Sequence, residues 1–138
     1  MVADPVIDTD VIVRLLTGDD AAKQQAAFNL FNRIRGGELT AMAPETVIAD
    51  AVFVLSSPRL YNVTRAHIRT LLLPILSLSG FWIEDREIVL AALNLYANST
   101  SGFGDALIVA YMRQRGSTTL YSYDQGFDRY PDIQRREP

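Results

Sequence analysis

Four aspartates, Asp8, Asp50, Asp105 and Asp124, stand where a carboxylate is hard to explain by folding alone. Asp8 ends the apolar run Pro5-Val6-Ile7, and Asp50 interrupts Val47-Ile48-Ala49 and Ala51-Val52-Phe53-Val54-Leu55. Asp105 opens Ala106-Leu107-Ile108-Val109-Ala110, and Asp124 closes Thr119-Leu120-Tyr121-Ser122-Tyr123. An unpaired charge beside a core is costly to desolvate. Four carboxylates gathered by a fold repel one another unless a divalent cation sits among them, and an all-oxygen donor set suits magnesium or manganese. The chemistry implied is a metal-dependent reaction on a phosphate substrate.

Each acid also has a structural explanation. Asp8 or Thr9 can cap a helix that starts near Val11. Asp10 steadies Asp8 or Thr9, binds metal through water, or simply occupies a first helical turn, where negative charge is favoured. Asp50 shares a helical face with Val47, Phe53 and Val54 by three-and-four spacing, so it is expected on a core-directed stripe; the alternative is a rim position paired with an arginine. Glu45 is a competing acid, but its place in a first helical turn has a dipole explanation. Asp105 follows Ser101-Gly102-Phe103-Gly104 and reads equally as a cap, although the glycines let a backbone or substrate come close. Asp124 begins the turn Asp124-Gln125-Gly126, where aspartate is common. It is the order and placement of the four together that argue for a site.

Composition narrows the chemistry. The chain has no cysteine and one histidine, His67, which excludes disulfides, thiolate metal sites and a two-histidine ribonuclease. Any metal must be held by oxygen. A formal charge of −3 argues against broad electrostatic binding to nucleic acid, without excluding local contacts. Lys23 is the only lysine beside twelve arginines, and arginine is the better bidentate phosphate binder. At 138 residues the chain is expected to form a single domain, 1–138, with a hydrophobic core. No apolar run reaches the roughly 18 residues that cross a bilayer. Met1-Val2-Ala3-Asp4 lacks the basic start of a signal peptide, so a cytoplasmic location without membrane association is expected.

Short apolar runs alternate with helical segments. Pro5 to Asp8 reads as a strand buried on both sides, 10–17 as a short helix, and Asp19-Asp20 as the cap of a second helix running to Arg35, closed by Gly36-Gly37. Thr40 to Ala43 reads as a strand, and Pro44-Glu45 as the start of a helix through Leu55. Thr64 caps a helix to about Ser79, and Phe81-Trp82-Ile83 is a third strand with Trp82 in the core. Helices at 85–97 and 105–115 follow, then a strand at Thr119 to Tyr123 and a short fifth near Ile133. Such alternation predicts an α/β fold with a parallel sheet covered on both faces, whose ligands bind at the carboxyl ends of the strands. Asp8 and Asp124 fall at two of those ends. Phe28, Leu30, Phe31 and Ile34 read as packing, either core or a partner interface, and His67, Arg65 and Arg69 as a solvated helix face. The sequons at Asn62 and Asn98 have no meaning without secretion.

Together these motifs resemble the PIN domain, a small nuclease fold found in many toxins of bacterial toxin–antitoxin pairs. Val6-Ile7-Asp8-Thr9-Asp10-Val11 is similar to the family's opening strand with its first acid, and the run around Asp50 to the helix carrying the second. The family usually has glutamate there, so Asp50 is one methylene short. Phe103-Gly104-Asp105-Ala106-Leu107-Ile108 resembles the third motif, with Gly102 where many relatives carry a further acid, and Tyr121-Ser122-Tyr123-Asp124 resembles the closing one. The resemblance implies a three-layer α/β/α fold with a mainly parallel sheet of about five strands. It also implies endonucleolytic cleavage of single-stranded RNA with Mg2+ or Mn2+, an antitoxin partner and a homodimer. Asp8, Asp50 and Asp105 would hold metal directly or through water, and Asp124 would complete the set or position the nucleophilic water. Thr9 and Ser122 would add supporting hydrogen bonds.

Two rival readings remain at this level. Asp8-Thr9-Asp10 after an apolar strand also matches a haloacid-dehalogenase-type phosphatase, with Asp8 as nucleophile and Asp10 as general acid; the missing downstream lysine counts against it. A non-catalytic PIN-like module that binds RNA or protein is the other, kept open by the shorter acid at Asp50.

Overall fold

The apolar run that precedes Asp8 pairs with a segment far along the chain, and that pairing sets the first half of the architecture. The computed structural model describes residues 3–138; Met1 and Val2, the start of the N-terminal stretch considered above, lie outside the described residues. Contacts divide the chain into two compact units, Met1–Arg86 and Glu87–Pro138.

In the first unit, β1 (Ala41–Ala43) runs parallel to β2 (Phe81–Ile83), with Ala41 opposite Phe81. Alternate residues of a strand turn their polar groups to opposite edges. Ala41 N therefore donates to the Gly80 carbonyl at 2.9 Å, whereas Met42 N turns the other way and donates to the Pro5 carbonyl at 2.9 Å. Ile7 N returns a bond to the Met42 carbonyl at 3.0 Å. Pro5 has no N–H to extend the ladder, and the run gives a single parallel bridge, Val6 with Met42, where a strand was expected. Nor is it buried on both sides: Ile7 is buried, but Val6 is 60% exposed.

The helices of this unit start where polar caps stand. Asp20 Oδ1 accepts from Lys23 N at 3.0 Å and begins α2 (Ala21–Arg35). Thr64 Oγ1 accepts from His67 N at 3.3 Å and begins α4 (Arg65–Leu76). α1 (Thr9–Leu16) packs on α2 and on α3 (Glu45–Ser56), which follows Pro44. Ile12, Ile48, Leu55, Ile68, Leu72 and Phe81 are fully buried between them. Phe31 meets Phe81 edge-on, with ring centroids 5.6 Å apart. Of the residues expected in the core or at a partner interface, Phe31 and Ile34 are core and Phe28 is exposed. Trp82 is 59% exposed, correcting its assignment to the core: β2 buries Phe81 and Ile83 on one side, and alternation turns Trp82 to the other.

In the second unit, α5 (Arg86–Ala97) and α6 (Phe103–Arg115) precede β3 (Thr119–Tyr121), a 3-10 helix (Gln125–Arg129) and β4 (Gln134–Arg136). Gly116 closes α6 at φ 73°, a left-handed conformation open to glycine. β3 and β4 are parallel, with Thr119 opposite Gln134. Val109, Met112, Phe127, Tyr130 and Ile133 form the core here. The parallel α/β class therefore holds. Among the described residues its strands number four, in two pairs, against the five expected. No helix of the described residues is long and apolar enough to cross a membrane.

Candidate active site

Asp8 follows directly on the bridge-forming run and caps α1, its Oδ1 accepting from Thr9 N at 2.7 Å. The Thr9 hydroxyl donates to the Val47 carbonyl at 3.3 Å, tying the start of α1 to the first turn of α3. Asp50 lies on α3 beyond that tie, and the two acids line one cleft of about 540 Å³. Arg14, Phe53, Leu60 and Tyr61 line it with them. The Asp19 carboxylate fixes two of these walls, accepting from the Tyr61 hydroxyl at 2.7 Å and from Arg14 Nη1 at 3.1 Å. The Tyr61 bond, with help from Thr17 and the Arg14 charge, holds the Asp19 carboxyl below its usual value against the opposing effect of desolvation.

Asp50 is exposed, which corrects its expected place on a core-directed stripe. The buried face of α3 consists of Val47, Ile48, Ala51, Val52 and Leu55. Because α3 is apolar on nearly every side, three-and-four spacing could not decide which arc turns inward.

The carboxyl ends of β1 and β2 carry further acids. Glu45 follows β1 after Pro44, and Glu84 and Asp85 follow β2. Burial raises the Glu45 carboxyl above its usual value, and repulsion from Asp85 and then Glu84 adds to the shift. Glu84 and Asp85 were not singled out from sequence, although their position after an apolar strand is the same signal that marked Asp8.

The second unit holds the other two aspartates. Gly102 is the N-terminal cap residue of α6, so Asp105 sits within the first turn and is not the cap. Burial is the main cause that raises its carboxyl, followed by repulsion from Asp124, and the Arg129 charge opposes both. Asp124 Oδ1 accepts from Gly126 N at 2.8 Å, and its own N–H donates to Ser122 Oγ at 3.0 Å. Thr9 thus meets the Asp8 carboxylate through its backbone N–H, whereas Ser122 accepts from the Asp124 backbone N–H through its hydroxyl oxygen. Arg129 escaped notice in the sequence, where it is one arginine in a turn. Its Nε donates to the Gly126 carbonyl at 2.9 Å and its Nη1 to Thr100 Oγ1 at 2.6 Å, which holds the cation near Asp105.

Within neither unit, among the described residues, do three or more acid or histidine side chains converge as a ready metal cage. Each unit offers a carboxylate pair: Asp8 with Asp50 on one cleft, and Asp105 coupled to Asp124. Such a donor set fits magnesium, which keeps most of its waters and is held through one or two carboxylates and substrate phosphates. His67 is exposed on α4, as expected of a solvated residue. Lys23 lies 3.9 Å from Asp20 and lines the neighbouring cleft with Asp10, giving no phosphate anchor beside Asp8. A family model described as PIN domain matches residues 6–133. No curated protein matches the chain.

Proposed function

The chain belongs to the PIN-domain family, and from that premise we propose that it is an endoribonuclease that cuts single-stranded RNA, acting as the toxin of a toxin–antitoxin pair. PIN domains are generally metal-dependent nucleases, so phosphodiester hydrolysis is the family-level function. The observation that carries the reading is the shared cleft of Asp8 and Asp50, at the carboxyl end of a parallel pairing, where ligands of α/β folds bind. The proposed catalytic and metal-holding acids are Asp8 and Asp50 in the first unit and Asp105 and Asp124 in the second.

A bound Mg2+ or Mn2+ would lower the pKa of a water and offset charge on the phosphate. The chain's own part is positioning. Asp8 is held by its cap bond, and the Thr9–Val47 tie sets α1 against α3. Asp124, held by its bonds with Ser122 and Gly126, would complete the metal-holding set or position the nucleophilic water. An antitoxin protein and a second copy of the chain are the proposed partners, on the family resemblance.

The test is incubation with single-stranded RNA, with and without Mg2+ or Mn2+, beside Asp8→Asn. Cleavage that needs metal and disappears in the variant is the expected result. Phosphate release from a small monoester with RNA intact would replace the nuclease by a phosphatase. Metal binding without cleavage of any RNA would leave a binding module.

A further inference from the structure

The cleft that holds Asp8 and Asp50 carries more apolar surface than metal binding requires. Phe53 is 74% exposed and Leu60 is 60% exposed, and both line it together with Tyr61. Phe53 follows Asp50 by three positions on α3, so ring and carboxylate are neighbours on one helix face. The geometry points to a nucleobase-stacking subsite: Phe53, flanked by Leu60 and Tyr61, forms a shelf beside the acid pair that takes one unpaired base of a single-stranded nucleic acid. This deepens the nuclease reading and rests on it for the identity of the substrate.

Charge selects the occupant. The cleft presents the carboxylates of Asp8, Asp10 and Asp50, and its one guanidinium, Arg14, is engaged by Asp19. The same carboxylates repel a peptide acid and a bare phosphate alike, so the group that enters beside Phe53 is the uncharged base, whose π-face suits an aromatic ring. The size agrees, since about 540 Å³ lies within the range of small-ligand sites. The shelf is also held in shape, because Tyr61 is anchored to Asp19 by a 2.7 Å hydrogen bond. Bases in a duplex are already stacked on one another, so this subsite favours unpaired strands.

The experiment uses the full chain and a short single-stranded RNA containing 2-aminopurine, with calcium in place of magnesium, and follows the fluorescence quenching that stacking causes. Wild type is expected to quench the probe. Phe53→Ala should weaken binding about 10-fold with loss of quenching, and Phe53→Trp should restore both. In turnover with magnesium, the Phe53→Ala effect should fall on KM more than on kcat, and duplex RNA should bind weakly to all variants alike. Leu60→Ser gives a second probe of the shelf, with a smaller loss in the same direction. Unchanged quenching in Phe53→Ala would overturn the subsite, as would an equal loss for duplex RNA. So would a dimer of wild type that Phe53→Ala turns into monomer with single-strand affinity retained, which would make Phe53 a contact between copies. RNA cleavage without dependence on Phe53 removes the subsite and leaves the nuclease. Phe53-dependent quenching in a chain that never cleaves RNA removes the nuclease reading and leaves the subsite.

Discussion

Asp105 is the acid whose environment is most distinctive. Burial and the Asp124 carboxylate raise its pKa, and Arg129 opposes the shift. The charged form is therefore disfavoured in the folded chain. Its contribution to stability is greatest below the ordinary value of 3.8 and declines as pH rises from there through the raised folded value. Replacing Asp124 with Asn should lower the Asp105 titration followed by carboxyl-carbon NMR, and Arg129→Gln should raise it. Movement in the same direction in both variants would contradict this electrostatic account. If Asp105 works as a charged ligand, the acid limb of activity in wild type lies above that of an ordinary aspartate. Asp50 makes a second residue-level prediction. Asp50→Asn should lower kcat/KM by about 100-fold or more, because a misplaced or lost ligand is felt strongly in rate. Asp50→Glu, which adds the methylene usual in the family, should retain activity, and a loss as large as that of Asn would show that this chain has adapted to the shorter acid.

Elements place these residues, and α3 shows how. Leu55 is fully buried and Phe53 is 74% exposed, two positions apart on the same helix. Leu55→Ala should cost about 2–5 kcal/mol in urea unfolding, while Phe53→Ala should stay within about 0.5 kcal/mol of wild type, as surface changes do. Equal costs would mean that α3 turns a different face to the core. Gly80, whose carbonyl accepts from β1, is equally specific. A Cβ there would meet the Ile34 carbonyl oxygen at 3.1 Å and Ile34 Cγ2 at 3.2 Å. Gly80→Ala should therefore lower the melting temperature, since one of those atoms is backbone and yields little. Much at this scale was legible in the sequence. Asp20, Thr64 and Gly116 marked helix ends because capping depends on a residue and its near neighbours. The face of α3 was not legible, because a helix apolar nearly all round has no periodic contrast to read. The same holds for Trp82, whose alternation with Phe81 and Ile83 is hidden when all three residues are large and apolar.

For the molecule as a whole, the family-level expectation is a reaction that stops without a divalent ion. Chelation should abolish RNA cleavage, Mg2+ or Mn2+ should restore it, and Asp8→Asn and Asp124→Asn should each leave none that metal can rescue. Cleavage that persists through chelation would contradict the metal-dependent reading. The sequence by itself determined the parallel α/β class, the family and the absence of thiolate ligands, since these follow from local periodicity, motif order and the lack of cysteine. Only the tertiary structure decided that Asp8 and Asp50 share a cleft, that Asp50 lies at the surface, and that an exposed aromatic stands beside it. It also set Asp124 and Arg129 as opposing influences on Asp105. Those outcomes depend on which residues distant in the chain become neighbours, and on which side of an element turns inward, and neither is written in the spacing of residues along the chain.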